Sequence, residues 1–370
     1  MPLSVYIDGL LFVGGLAALI VGGDGMVRGA ADLARRLGIS PLVVGLTVVA
    51  FGTSAPELAV SLASGLHDAA PLALGNVVGS NIFNILLILG FAAAVTALPV
   101  ARRLLVFDLP FMAGAAVLLV LLSLDGMITL SDGAILFSLL VAYIALNIVL
   151  ARRGTVKALP VDEPEADGGV SRTDLILGGG ATALVWVGLA NDRIGASGGL
   201  GLVAALALFL LLVFVSARRG PSTATDVLLV LLGIAVVALS ADCMVTGAVG
   251  VARQAGVSEA VIGLTVVAAG TSLPEAVASI LACRRGEPDI AVGNVIGSNI
   301  FNVLCIVGLT GLIVPLPLAP EIAQFDYAVM IGCTALLWLI AWRWRSILRW
   351  HGALMLGCFV AYMAAQWARL

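Results

Sequence analysis

Apolar runs of about twenty residues follow one another along nearly the whole chain, separated by short clusters of charge, Pro and Gly. Each run can cross a hydrocarbon layer roughly 30 Å thick as a helix. The pattern predicts twelve helices, over residues 5–33, 41–66, 71–97, 104–123, 131–151, 174–190, 199–217, 226–252, 258–283, 289–314, 322–342 and 348–368. Residues 152–173 are the one clear polar stretch, containing Val161-Asp-Glu-Pro-Glu-Ala-Asp167, and read as a short flexible linker.

Composition turns this pattern into a class. The chain is 61% hydrophobic and 11% charged, with a mean hydropathy of +1.15, more apolar surface than a water-soluble domain can hide. The fold expected is an all-α polytopic membrane protein. Its 43 glycines allow helices to approach closely in lipid, where packing holds them together. Met1–Asp8 has no basic leader region, so the first apolar run reads as a retained span. The five cysteines show neither CxxC nor Cys/His metal spacing and read as small packing residues.

Within the apolar pattern, two sequences occur twice. Gly-Leu-Thr-Val-Val-Ala-x-Gly-Thr-Ser-x-Pro-Glu fills 45–57 and 263–275; Gly-Asn-Val-x-Gly-Ser-Asn-Ile-Phe-Asn fills 75–84 and 293–302. Both pairs are displaced by the 218 positions that separate Glu57 from Glu275. The same displacement pairs Asp8 with Asp226, Asp24 with Asp242, Pro99 with Pro317 and Asp108 with Asp326. The duplicated units are residues 2–151 and 220–369, five spans each, with 152–219 holding the linker and two extra spans. Seven spans then separate equivalent points, and seven is odd, so the copies are expected to cross in opposite directions. With the N-terminus outside, sixteen of the nineteen basic residues fall on the cytoplasmic side, the positive-inside pattern.

Each copy places one glutamate in an apolar segment, which is costly and functional by default. Pro56 has no N–H and its ring disfavours helix in the residue before it, which predicts a break at Ala55 and Pro56 opening the next half-helix. Open backbone at membrane depth is tolerated only beside protein or a polar cavity. Ser80 and Asn84 are four apart and share a helix face, as do Ser298 and Asn302. Carboxylates, hydroxyls, amides and freed carbonyls are oxygen ligands suited to a hard cation, and no His or thiolate pattern suggests zinc or copper. No Lys or Arg lies between Arg36 and Arg102 or between Arg253 and Arg284, so no basic residue within these segments neutralises the glutamates. A divalent cation would, and protons or several Na⁺ could do so in alternation. An intramembrane hydrolase would need a base beside its nucleophile, and neither His67 nor His351 fits.

These four motifs resemble the α-repeats of the sodium/calcium exchanger family, prokaryotic type, within the calcium/cation antiporter superfamily. The resemblance covers both five-span units. It implies a non-enzymatic secondary antiporter that exchanges Na⁺ for Ca²⁺ by alternating access, with Ca²⁺/H⁺ exchange through the same glutamates as the alternative. It implicates Ala50, Thr53, Ser54, Glu57, Ser80 and Asn84 in the first copy, and Ala268, Thr271, Ser272, Glu275, Ser298 and Asn302 in the second. Glu57 and Glu275 would bridge Ca²⁺, while Ala and Thr would offer backbone carbonyls. Some relatives, including K⁺-dependent ones, have Asp where this chain has Asn302, so K⁺ independence is expected. No cofactor is expected. The partners are Ca²⁺ and Na⁺ as transported substrates and the lipid bilayer, with no nucleic acid and a monomer sufficient for transport, an oligomer being the alternative. The expected location is the inner membrane of a bacterial or archaeal cell.

Overall fold

The computed structural model describes residues 3–66, 70–152, 202–208, 222–255, 268–320 and 322–369. The chain divides into two compact units, one built from Met1–Gly38 and Val161–Arg285, the other from Ile39–Pro160 and Gly286–Leu370. Each unit therefore draws on both sequence copies.

The first unit is organised by two long helices, α1 (Leu3–Leu37) and a later one, Thr223–Gln254. Their contacts run antiparallel: Gly15 lies on Met244, Gly22 on Val236, and Gly29 on Leu229. The contacts are also reciprocal. A Cβ on Gly15 would come 2.9 Å from Cβ of Met244, and one on Gly233 would come 2.7 Å from Cβ of Met26, the same two positions with the copies exchanged. Glycine is required because the partner helix occupies the space of a side chain. Leu202 and Leu206 pack with Leu11, Ala18, Val236 and Cys243 in one apolar cluster. The ends are tied by polar pairs: Arg36 Nε donates to Asp226 at 2.6 Å, and Gln254 Nε2 donates to Asp8 at 2.6 Å.

Gly38 ends α1 in the left-handed region, at φ +64°. Two residues later Ser40 accepts from the Val43 N–H at 3.4 Å, and Pro41 opens α2 (Pro41–Val44), a standard helix start. The second unit continues through a π-helical turn, Gly45–Val49, then α3 (Ala50–Thr53), α4 (Ala55–Leu66), α5 (Ala70–Phe83), a π segment Asn84–Leu89 and α6 (Gly90–Val95). Strand β1 (Leu98–Pro99), a π turn Leu104–Asp108, α7 (Leu109–Leu122), β2 (Met127–Ile128) and α8 (Leu130–Arg152) complete the first copy. In the second copy, α9 (Thr223–Gln254), α10 (Ala268–Thr271) and α11 (Leu273–Arg284) belong to the first unit. There follow α12 (Pro288–Phe301), π Asn302–Val307, α13 (Gly308–Ile313), β3 (Leu316–Pro317), π Ile322–Asp326, α14 (Tyr327–Trp344), β4 (Ser346–Ile347) and α15 (Arg349–Trp367).

Reciprocity recurs in the second unit. Gly90 packs on the backbone at Gly352 and Leu356, while Gly308 packs on the backbone at Gly133 and Phe137. Strand β1 pairs with β4, and β2 with β3, both antiparallel. Here the displacement has become 219, as Gly133 to Gly352 and Tyr143 to Tyr362 show. The second copy takes up one extra residue at the end of α14, where Arg345 sits at φ +51°. Helices α2–α3 and α12 run parallel, with Gly293 beside Leu42 and Gly297 beside Ala50.

Among the described residues, eight helical stretches are long and apolar enough to cross a membrane. The expected span over 174–190 lies outside the described residues, as does most of 199–217, where 202–208 is helical. Two expectations need correction. The break falls at Ser54 (φ −82°, ψ 5°) and Ser272 (φ −89°, ψ 6°), one residue before the predicted Ala55, and Pro56 takes the second position of its half-helix. The proline ring must clear the carbonyl four residues back, and turning ψ two residues upstream achieves this while Ala55 stays helical. Asp108, near a span start, reads from sequence as an ordinary dipole-stabilising acid. It is in fact fully buried and accepts from the Tyr143 hydroxyl at 3.0 Å, with Arg103 at 3.3 Å.

Gly133→Ala should lower the melting temperature in detergent by an amount corresponding to about 1–3 kcal/mol, because its Cβ would lie 2.7 Å from the Gly308 carbonyl oxygen. Gly114→Ala, on an open helix face, should be neutral or slightly stabilising through helix propensity. Equal effects of the two substitutions would contradict the close-packing account.

Candidate functional site

The two breaks have matching local geometry. On the near side Ser54 N–H still reaches the Ala50 carbonyl at 3.1 Å; on the far side Leu58 N–H reaches Ser54 at 3.1 Å and Ala276 N–H reaches Ser272 at 3.1 Å. Pro56 and Pro274 have no N–H to return to Gly52 and Gly270. Glu57 and Glu275 stand in the first turns of α4 and α11, where the helix dipole favours an ionised carboxylate, and both are fully buried.

In the second unit, the break brings Thr53 against α12. Its hydroxyl donates to Asn294 Oδ1 at 3.1 Å and lies 3.5 Å from Ser298 Oγ. Ala50, Ser54, Ser80, Ser298, Asn84 and Asn302 are all buried in this unit with Glu57. Asn76 bridges the two motif helices of the first copy, donating to the Glu57 carbonyl oxygen at 3.3 Å and to Ser61 Oγ at 3.1 Å. Asn302 Nδ2 donates to Asn81 Oδ1 at 3.0 Å, and Asn81 Nδ2 to the Asn299 carbonyl at 3.4 Å. This amide chain crosses from α5 to α12.

Asn84 and Asn302 each begin a π segment, where the ladder shifts by one residue, as it often does at functional sites. Asn84 Nδ2 and Oδ1 and Asn302 Oδ1 are buried with no hydrogen-bond partner among the described residues. An unpaired buried amide costs about 1–3 kcal/mol, so these oxygens suit a ligand that supplies positive charge.

The first unit holds the other half of the motif residues. Ser272 and Glu275 are buried, with Ser279 buried one turn beyond Glu275; Thr271 is half-buried, and Ala268 opens α10. Among the described residues no group of three or more His, Cys, Asp or Glu side chains gathers to hold a metal. Oxygen ligands beyond the two carboxylates would come from amides, hydroxyls and carbonyls.

Several polar residues were not singled out from sequence: Asn76, Asn81, Asn294, Asn299, Ser61 and Ser279. The signal was present, since Asn76, Ser80 and Asn84 recur every four residues on one face, and each glutamate is followed four residues later by a serine. Asp24 forms ion pairs with Arg28 and Arg285, whereas Asp242 is exposed. His351 accepts from the Leu348 N–H at 2.9 Å as a helix cap, and His67 lies outside the described residues.

The chain matches the family described as sodium/calcium exchanger protein in two blocks, residues 8–149 and 225–368. Inner membrane protein YrbG of Escherichia coli (strain K12) is 35% identical over 360 residues, covering 96% of this chain and 95% of that protein. Sodium/calcium exchanger MaX1 of Methanosarcina acetivorans is 31% identical over 360 residues, covering 97% and 98%. A solved structure of the sodium-calcium exchanger NCX_Mj, soaked with zero Na⁺ and Ca²⁺, superposes with a TM-score of 0.74 at 26% identity, covering 98% of this chain and 99% of that one. With two separate blocks matched and relatives aligned end to end, the chain belongs to the sodium/calcium exchanger family.

Proposed function

We propose that this protein is a secondary antiporter that exchanges Na⁺ for Ca²⁺ across the inner membrane of a prokaryotic cell by alternating access, independently of K⁺. The observation that carries the reading is the duplicated break, each copy presenting a fully buried glutamate one turn past a serine hinge. The names of MaX1 and NCX_Mj, both sodium/calcium exchangers, point the same way.

In this reading Glu57 and Glu275 supply two negative charges, matched by one Ca²⁺ and exchangeable for Na⁺. Ala50, Thr53, Ser54, Ser80 and Asn84 contribute oxygens from the first copy; Ala268, Thr271, Ser272, Ser298 and Asn302 do so from the second. Each ion form neutralises carboxylates whose bare charge would be costly to bury, so the cations compete and the empty state is disfavoured. That competition is what couples two opposite fluxes. The neutral Asn302 removes the extra charge that a K⁺-coupled site would use.

The twelve-span, inverted-repeat topology is part of the proposal. It is supported by the antiparallel run of α1 and α9, which are copies of one sequence, and by the parallel run of α2–α3 with α12. A cysteine placed at Ser4 should react with an impermeant thiol reagent added outside intact cells. Labelling only after permeabilisation would reverse the orientation.

In proteoliposomes, an outward Na⁺ gradient should drive ⁴⁵Ca²⁺ uptake, and Glu57→Gln and Glu275→Gln should each reduce it at least a hundredfold, in line with loss of a buried ion ligand. Flux driven by a pH gradient without Na⁺ would instead establish Ca²⁺/H⁺ exchange. Asn84→Ala should lower Ca²⁺ affinity with little change in melting temperature, because the amide has no partner among the described residues to abandon. Asn302→Ala should in addition cost about 1–3 kcal/mol of stability by stranding Asn81 Oδ1.

A further inference from the structure

The half-helix α11, which carries Glu275, is seated on α1 at two points. Gly23 of α1 faces it: a Cβ there would lie 2.8 Å from Val277 Cγ1 and 3.1 Å from Leu281 Cδ1. One turn further along α11, the Arg285 guanidinium makes a two-pronged contact with the Asp24 carboxylate through Nε and Nη2. Arg28 on α1 itself also reaches Asp24, at 3.1 Å. Val277, Leu281 and Arg285 follow one another at four-residue spacing and so form one stripe. At 3.6 residues per turn, Val277 and Leu281 lie about 200° and 240° round the helix from Glu275. The apolar part of the grip is thus on the side of α11 away from the glutamate, with Arg285 at the helix end about 280° round, while Ser279 shares the glutamate's face.

A two-pronged guanidinium–carboxylate contact fixes an angle as well as a distance, which a lysine or an apolar contact does not. Both side chains are mostly shielded, with 32% of Arg285 and 18% of Asp24 exposed, so water weakens the pair only in part. The glycine sets how closely α11 approaches; the ion pair sets its rotation and its height along α1.

We propose that Asp24 and Arg285 are the positioning pair that aims Glu275, holding the α11 half-helix at the rotation in which its carboxylate meets the transported ion. This rests on the reading of Glu275 as an ion ligand. Neither residue touches the ion; their effect passes through the helix.

The test is Na⁺-driven ⁴⁵Ca²⁺ uptake by the full-length protein in proteoliposomes, with initial rates taken over a range of Ca²⁺ concentrations and melting temperatures measured beside them. Asp24→Asn and Arg285→Gln should each raise the apparent KM for Ca²⁺ roughly three- to tenfold, with the maximal rate and the melting temperature close to those of the parent. The exchanged pair Asp24→Arg/Arg285→Asp should return KM to within about twofold. If a single variant folds poorly, Asp24→Glu keeps the charge but lengthens the arm, and KM should shift while the fold is retained. An unchanged KM in Asp24→Asn and Arg285→Gln, or an exchanged pair no better than the singles, overturns the proposal. Glu275→Gln in the same assay separates the two readings. Loss of transport there beside an unaltered KM in the Asp24 and Arg285 variants rejects the positioning role alone, whereas normal transport by Glu275→Gln rejects the ion-ligand reading beneath it.

Discussion

A glutamate buried in an apolar helix constrains everything around it. Its carboxylate cannot be hydrated by lipid, so the surrounding protein has to supply the polar groups that water would have supplied. This is why the helix opens at Ser54 and at Ser272, why the half-helices beyond begin with their dipoles behind Glu57 and Glu275, and why asparagine, serine and asparagine recur every four residues on the neighbouring motif helix. The amide chain from Asn302 through Asn81 to the Asn299 carbonyl holds α5 against α12. Asn302 Oδ1 and the side-chain amides of Asn84 and Asn299 are buried with no partner among the described residues, and Asn84 stands at the start of a π segment.

Around those polar centres, the rest is packing by subtraction. Glycines at 15, 233, 90 and 308 bring helices to backbone contact, in each case against the other copy, and each contact recurs with the copies exchanged. Lipid offers no hydrophobic drive for helices to associate, so shape has to do it. Long apolar faces with small residues at one stripe meet that need without charge. Charged pairs add to this at Arg36–Asp226, Asp24–Arg285 and the buried Arg103–Asp108.

Much of this was legible in the sequence, for reasons that are physical. Helix positions followed from the length of apolar runs, and α7, expected over 104–123, ends at Leu122. The break was legible because proline removes a donor. Its exact residue was not, since steric relief can be taken at either of two torsions, and the chain turns at Ser54 with Ala55 still helical. The π segments at Asn84 and Asn302 left no mark in hydrophobic periodicity: a single one-residue shift barely alters a pattern in which every face is apolar. The link between Thr53 and Asn294 joins residues of different copies, and no local rule reaches across 241 positions. The Asp108–Tyr143 pair was hidden in the same way, because an acid near a span start has an ordinary explanation that needs no partner.

The reciprocal glycine contacts carry a further meaning. Gly90 rests on Gly352 and Gly308 on Gly133, so neither copy closes its own third helix against its own fifth. Each lends the element that the other needs. In this unit the two copies exchange elements as the protomers of a domain-swapped homodimer do, here within one polypeptide.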